Sequence, residues 1–452
     1  MKSEIMWQDI RTFSDVEMRN VTSTIFLNVS IDSRTIQKGD TFLPLRGKNY
    51  DGHKFVPNAI RSGALGIIVE RKWFDTHGKN LSIPTIIVEN TKQFLLKLAQ
   101  WQLQNVNPIV IGITGTNGKT TVKNLLSSFL STIAPTHFTL GNYNNSIGLP
   151  LSLLNLSMRH KFSVLEMGAS EKGEIGFLAN LTKPKCGIIT NIGIAHLDGF
   201  GDEKIIAQEK SALFKHLPKD GVAFVNLDDR FISQFETKAS LITFSFKNGS
   251  ENQARIIATD SLGCIEFDLN GCRFKMPVPG IGFAKSALTS IVVAKYFGVP
   301  SEKIIQQLKN FKTEHGRMEK CEKDGITIID DSYNANPSSV KNSIRAVGEM
   351  HCNGKRILVF GDMLELGKLA KKYHTIVADW AVNNKFSCLF TYGDLARAAD
   401  ESASAINIHE HFETHENLLE RLQSVLETGD IVLVKGSRGM ELEKIVEGLL
   451  VA

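Results

Sequence analysis

Short apolar runs alternate with amphipathic stretches from one end of this chain to the other. Gly66-Ile67-Ile68-Val69, Thr85-Ile86-Ile87-Val88, Ile109-Val110-Ile111-Gly112-Ile113, Phe162-Ser163-Val164-Leu165, Cys186-Gly187-Ile188-Ile189-Thr190, Ile326-Thr327-Ile328-Ile329, Arg356-Ile357-Leu358-Val359-Phe360 and Ile431-Val432-Leu433-Val434 are rich in aliphatic, mostly β-branched residues. Runs of that length and composition predict buried strands. Helical spacing returns between them: around Pro57 to Ser62, after Gly118 where Val122, Leu125, Leu126, Phe129 and Leu130 share one face, and from Leu418 to Leu426. Strands apolar on both faces and separated by helices predict an α/β fold built on parallel sheets.

Three such blocks follow one another, as a length of 452 residues allows. Residues 1–105 predict a small α/β domain, 106–312 a second, and 313–452 a Rossmann-like third, although the G-x-G-x-x-G fingerprint follows none of its strands. The polar stretch from Gln102 to Asn107, closed by Pro108, predicts a linker between the first two. A hydrophobic content of 42% is ordinary for a globular protein. The net charge of +4 is not gathered into a basic block, so nothing calls for nucleic acid or an anionic membrane. Six cysteines without a C-x-x-C pair argue against a disulfide framework or a zinc ribbon. The N-terminal residues carry no apolar signal core and no apolar run has spanning length, so the cytoplasm is the expected compartment.

Chemistry concentrates where the strand from Ile109 breaks into Gly115-Thr116-Asn117-Gly118-Lys119-Thr120-Thr121 and a helix begins. Glycines let backbone N–H groups approach a phosphate at the positive end of the helix dipole, the ammonium of Lys119 neutralises charge, and the hydroxyl of Thr120 can ligate Mg²⁺. The strict G-x-x-x-x-G-K-S/T spacing would need glycine at position 113, where isoleucine stands, so the pattern is the shorter core. Two other strands end in polar clusters, Glu166-Met167-Gly168 and Asn191 through His196. Ligands of open α/β sheets sit beyond the carboxyl ends of strands, which puts Glu166 and His196 on the edge expected for the cradle. Together they suit a Mg²⁺ between phosphates and substrate, although Mg²⁺ prefers oxygen. Read singly, Glu166 serves as well as a helix cap and His196 as a structural histidine. The loop from Gly141 to Pro150 sets the amides of Asn144 and Asn145 between glycines, which suits a phosphate or a sugar and a plain turn equally.

The cradle, the segment G-N-Y-N-N-S-I-G-L-P at 141–150, L-E-M-G-A-S at 165–170 and T-N-I-G-I-A-H-L-D at 190–198 together resemble the central domain of the Mur ligases, ATP-dependent amide-forming enzymes of peptidoglycan precursor synthesis. The third block carries Asp330-Asp331-Ser332-Tyr333-Asn334-Ala335-Asn336-Pro337, Gly361-Asp362-Met363-Leu364-Glu365-Leu366-Gly367 and Val434-Lys435-Gly436-Ser437-Arg438-Gly439. These resemble the branch of the family that adds D-alanyl-D-alanine to UDP-N-acetylmuramoyl-tripeptide. Asp32-Ser33-Arg34, with Gly47 and Asp51-Gly52-His53, resembles the family's uridine-nucleotide domain, and the D-N-P-R signature of many tripeptide-forming members is absent.

The resemblance implies that ATP phosphorylates a substrate carboxylate and that an amine then attacks the acyl phosphate. It implies a P-loop ATPase-like central sheet, with catalytic roles for Lys119, Lys210 and His196. Nucleotide contacts would come from Gly115, Thr116, Asn117, Gly118, Lys119, Thr120, Thr121, Arg317, Asp331, Asn334 and Asn336. UDP-substrate contacts would come from Asp32, Ser33, Arg34, Asn144 and Asn145, and the carboxylate of the dipeptide would meet Ser437 and Arg438. Mg²⁺ would be held by Thr120, Glu166, His196 and Lys210, the last as a carbamate, because Ala207-Gln208-Glu209-Lys210-Ser211-Ala212-Leu213-Phe214 matches the family's A-x-x-K-x-x-I/L-F segment. Without the family context, Asp331, Asn334 and Asn336 are ordinary turn and cap residues, and Lys210 and Arg438 ordinary surface cations.

One stretch departs from the family. The adenine-lining G-x-H-N-x-x-N-A reads Gly280-Ile281-Gly282-Phe283-Ala284-Lys285-Ser286-Ala287, so the hold on adenine stays open and this stretch is left outside the site. A monomer is expected, with a site assembled by domain closure. The alternatives are a tripeptide-forming Mur ligase, a folylpolyglutamate synthase, which shares the central and C-terminal design, and a nucleotide-dependent switch that ligates nothing.

Overall fold

The computed structural model describes residues 4–21, 27–47, 50–78, 80–247 and 249–451. Contacts divide the chain into two units: Met1–Gly112 with Ala134–Gly168 and Gly176–Lys185, and Ile113–Ile133 with Ala169–Ile175 and Cys186–Ala452. The architecture is mixed α/β with three sheets.

The first sheet runs β1 (Glu17–Arg19), β5 (Thr85–Val88), β4 (Gly66–Glu70), β3 (Thr41–Phe42), β2 (Val29–Ser30), with only β1 antiparallel to its neighbour. β4 and β5 are buried along their whole length, as their apolar runs predict. The helix expected around Pro57 is Val56–Arg61, with the proline in its first turn, where no N–H is needed.

The predicted linker is instead the end of a helix, Thr91–Val106. Its polar residues misled because a helix that packs on one face keeps a polar stripe on the other. Leu95, Leu98, Ala99 and Leu103 are buried, and Gln102 turns inward to donate its amide to the Leu156 carbonyl at 2.6 Å. Asn107 then closes the helix in the left-handed conformation, directly before Pro108.

The second sheet runs β14 (Cys272–Pro279), β13 (Cys264–Leu269), β12 (Asn252–Thr259), β11 (Ser240–Ser245), β10 (Val222–Asn226), β9 (Cys186–Ile189), β6 (Ile109–Thr114), β8 (Phe162–Glu166), β7 (Thr136–Phe138). Its interior is parallel, whereas β12, β13 and β14 form an antiparallel edge that the apolar runs did not announce. The signal was a period of two: in β14, Phe274, Met276 and Val278 are buried and Arg273, Lys275 and Pro277 face out. The helix Lys119–Ser131 follows β6 and buries Val122, Leu125, Leu126, Phe129 and Leu130, the face its spacing predicts.

The third sheet runs β15 (Glu319–Lys323), β16 (Ile326–Asp331), β20 (Ile431–Lys435), β17 (Arg356–Gly361), β18 (Cys388–Tyr392), β19 (Ile408–Phe412), parallel except for β15. A two-residue Asp324-Gly325 turn, both residues at positive φ, closes the β15–β16 hairpin. Because β20 pairs between β16 and β17, segments far apart in sequence end side by side: Asp331 is paired with Lys435. Among the described residues no helix is long and apolar enough to cross a membrane.

Leu126 is fully buried on the helix that follows β6. Leu126→Ala is expected to lower the unfolding free energy by about 2–5 kcal/mol, read from a urea transition followed by circular dichroism.

Candidate active site

The loop after β6 is held in shape by the loop after β9. Thr190 Oγ1 and Asn191 Nδ2 both donate to the Asn117 carbonyl, at 2.6 and 2.8 Å, and Asn117 N donates to Asn191 Oδ1 at 3.1 Å. Thr116 Oγ1 donates to the Gly193 carbonyl at 3.1 Å and accepts from Gly193 N at 3.0 Å. This approach is close enough to demand glycine: a Cβ on Gly115 would stand 1.9 Å from Thr190 Oγ1. Gly118, at φ +79°, then caps the helix Lys119–Ser131, whose first-turn N–H groups have no partners within the helix itself. Lys119 folds back over the loop and donates to the carbonyls of Gly115 and Thr116 at 2.9 and 3.1 Å. Thr120 is buried in that first turn. Ser286 belongs beside this loop after all, since a Cβ on Gly118 would lie 2.9 Å from its hydroxyl.

Lys210 projects from the helix Glu203–Lys215 and is buried. Burial, reinforced by the positive charge of Lys119, lowers its pKa to about 7, against the opposing pull of Glu209. Glu209 is itself occupied, accepting from Gly173 N and Ile175 N at 2.7 Å each. The helix face that sequence alone assigns to the surface therefore brings a second amine into the field of the cradle lysine.

His196 stands at φ +50° at the head of the short helix Leu197–Phe200, and its Nδ1 is hydrogen-bonded to the carboxylate of Glu365. The cradle also touches the third block directly. Asn117 Nδ2 donates to Ser338 Oγ at 2.6 Å and Asn336 Nδ2 donates to Asn117 Oδ1 at 2.8 Å. Asn124 Nδ2 donates to Glu314 Oε1 at 2.8 Å, and Glu314 Oε2 lies 3.8 Å from Arg317 Nε.

Several predicted nucleotide contacts turn out to have structural partners. Asn336 caps the helix Pro337–Glu349, accepting from Ser339 N at 2.9 Å. Asn334 accepts from Ala335 N with its side chain and from the Lys435 ammonium with its carbonyl. Asp331 is saturated: it accepts from Ser343 Oγ at 2.5 Å and Met318 N at 3.1 Å, and pairs with Lys435 Nζ at 3.0 Å. Burial still raises its pKa, with Lys435 as the main opposing influence. Ser437 Oγ accepts from Leu364 N at 2.9 Å, and Arg438 is exposed. The guanidiniums of Arg317 and Arg438 lie 4.0 and 5.2 Å from the ring of Tyr333, an aromatic the sequence reading left without a role. Lys435 and Glu365 were missed in the same way, each inside a quoted motif but lacking a partner until the fold supplied one.

In the other unit, Glu166 is buried at the end of β8 and accepts from Asn144 Nδ2 at 2.8 Å, while its own N–H donates to Thr139 Oγ1 at 3.0 Å. Asn145 Oδ1 accepts from Ile147 N and Gly148 N at 3.0 and 2.8 Å, a turn role. Asp32 accepts from the Arg34 guanidinium at 2.6 Å, and this pairing lowers the Asp32 pKa to about 2. Ser33 lies between them in the turn after β2. His53 of the D-G-H segment is buried, with Nδ1 2.7 Å from Asp51 and Nε2 accepting from Glu70 N at 3.1 Å.

The buried Asp331–Lys435 pair makes a direct prediction. Lys435→Met, which strands the carboxylate, is expected to destabilise the protein by about 3–5 kcal/mol in chemical unfolding, and adding Asp331→Asn is expected to recover part of that loss.

Three families cover this arrangement: residues 26–101 match the Mur ligase family, catalytic domain, residues 113–294 the Mur ligase middle domain, and residues 316–438 the Mur ligase, glutamate ligase domain. The UDP-N-acetylmuramoyl-tripeptide–D-alanyl-D-alanine ligase of Bacillus subtilis strain 168 is 34% identical over 94% of this chain and 94% of its own. Its counterpart from Escherichia coli K12 is 31% identical over 93% of each. The crystal structure of MurF from Acinetobacter baumannii covers all of both chains with a TM-score of 0.88 at 28% identity. The MurF ligase from Thermotoga maritima in complex with ADP gives 0.80 at 29% identity over 93% of this chain and 96% of that one. The motifs, the three sheets and these likenesses agree, and the chain belongs to the Mur ligase family.

Proposed function

We infer that this chain is an ATP-dependent ligase that adds D-alanyl-D-alanine to UDP-N-acetylmuramoyl-tripeptide in peptidoglycan synthesis. The observation that carries this reading is a glycine-shaped loop at a helix N-terminus, with Lys119 folded over it and a second, buried amine, Lys210, in its field. Such a site gathers positive charge for phosphates. A tripeptide carboxylate oxygen attacks the γ-phosphorus, the bond to ADP breaks, and an acyl phosphate forms. The neutral amine of the dipeptide then attacks the acyl carbon, phosphate leaves, and the amine's proton passes to solvent. Both reactants of the first step are anions, so Lys119 and the helix N-terminus act by offsetting charge and fixing geometry.

Residues 1–105 are assigned to the UDP-substrate through Asp32, Ser33 and Arg34, 106–312 to ATP, and 313–452 to the dipeptide through Ser437 and Arg438. By the family resemblance Mg²⁺ would be held by Thr120, Glu166, His196 and Lys210: a hydroxyl, a carboxylate and, once Lys210 is carbamylated, a carbamate are oxygen donors of the kind Mg²⁺ takes, and His196 adds a nitrogen. When bound, Mg²⁺ supplies charge neutralisation on the phosphates. Carbamate formation joins the neutral Lys210 Nζ to CO₂ and releases one proton, two when counted from the ammonium, and leaves an anion beside Lys119. The reading also takes the protein as a cytoplasmic monomer, where ATP is at hand.

Phosphate release measured with ATP, Mg²⁺ and the UDP-tripeptide should depend on D-alanyl-D-alanine and match product by mass; release that ignores the dipeptide would reject the assignment. Lys119→Ala is expected to lower kcat about 100- to 1000-fold with the fold intact. With ¹³C-labelled CO₂, wild type should give a carbamate resonance that Lys210→Gln lacks. A pKa of about 7 means the neutral amine predominates above that value, so the signal should fade as pH drops below it.

A further inference from the structure

We propose that Glu365 is a positioning residue for His196, holding the imidazole with its proton on Nδ1 so that the Nε2 lone pair is free for the site. This rests on the reading of His196 given above. Glu365 lies in Gly361-Asp362-Met363-Leu364-Glu365-Leu366-Gly367, a motif whose residues had no assigned task. Its carboxylate is bonded to His196 Nδ1, and its carbonyl accepts from Asp198 N at 3.3 Å, so the two loops meet through side chain and backbone together.

Both partners adopt a conformation that non-glycine residues rarely take, φ +50° for His196 and φ +62° for Glu365. Backbone strain on the two sides of one hydrogen bond persists only where the surroundings over-determine it. The surroundings here are the loop's own base. Asp362 Oδ1 accepts from Leu395 N and Ala396 N at 3.1 and 2.8 Å, its carbonyl accepts from Ser437 N at 2.9 Å, and Leu364 N donates to Ser437 Oγ at 2.9 Å. At the far side Gly367 is so close to Asp198 that a Cβ would stand 2.7 Å from Asp198 Oδ1. The loop that reaches His196 is thus built on Ser437, the residue assigned to the dipeptide.

A stability role does not account for the contact, because both side chains are substantially exposed and exposed pairs contribute little. Orientation does. A neutral imidazole carries one proton on either nitrogen, and a carboxylate accepting from Nδ1 fixes it there, the device by which metal-binding histidines are commonly set. Glu365 therefore couples the seating of the third-block loop to the state of a central-block histidine.

The test compares Glu365→Ala with Glu365→Gln in the full chain. Long-range ¹H–¹⁵N NMR of the protein free of metal and nucleotide, at a pH where the ring is neutral and with His196→Asn for assignment, should show His196 as the Nδ1–H tautomer in wild type. Glu365→Ala should shift it toward Nε2–H, with an unchanged melting temperature and a kcat about 10- to 100-fold lower. The KM for the UDP-tripeptide should stay within about twofold. Glu365→Gln keeps an acceptor for Nδ1–H and should recover the tautomer and most of kcat. A wild-type Nε2–H tautomer, an alanine variant identical to wild type, or equal losses in both variants with the tautomer unmoved would each overturn the proposal. A fully active His196→Ala would instead remove the reading of His196 on which it rests, whereas an inactive His196→Ala beside a normal Glu365→Ala would remove this proposal alone.

Discussion

The contact on which the rest of the site depends is the close seat of Gly115 against Thr190. A glycine Cα lies where no Cβ fits, and the Asn117 carbonyl is held by a hydroxyl and an amide at once. That fixes the loop before any ligand arrives, so its N–H groups need no reorganisation to meet charge, the condition under which electrostatic stabilisation is most effective. Lys119 uses the same frame, held over its own loop by two carbonyls.

Charge is managed differently in the two regions that meet at this loop. Around Lys119 and Lys210 two amines share one region, and burial first, then the charge of Lys119, lowers the pKa of Lys210 against the pull of Glu209. At one pair in the third block the balance is close: Asp331 and Lys435 neutralise each other, and hydroxyl, backbone N–H and carbonyl groups take up further bonds. A region where amines gather suits an incoming anion, and a neutralised pair suits a scaffold. This is why Asp331, read from sequence as a nucleotide contact, is engaged by its own fold, while the guanidiniums of Arg317 and Arg438 lie beside the ring of Tyr333.

The strands and the cradle helix were legible because their signals are local: a continuous β-branched run has few ways to be anything but a buried strand, and Val122 to Leu130 repeat at a helical period. The stretch from Gln102 to Asn107 misread for a local reason too, since a helix's polar face resembles a linker when its buried face is not weighed. The antiparallel edge of β12 to β14 was passed over because its alternation is weaker than a solid apolar run.

By itself the sequence determined the class of fold, the glycine-bearing strand-to-helix turn and the family motifs, because each depends on residues adjacent in the chain. Which groups serve the site and which serve the scaffold was decided by the tertiary structure. Asp331 and Lys435 stand 104 residues apart and become partners only because β20 pairs beside β16. His196 and Glu365, 169 residues apart, meet only where two loops cross. Partnership and burial set charge and orientation, and neither is a property that a residue carries along the chain.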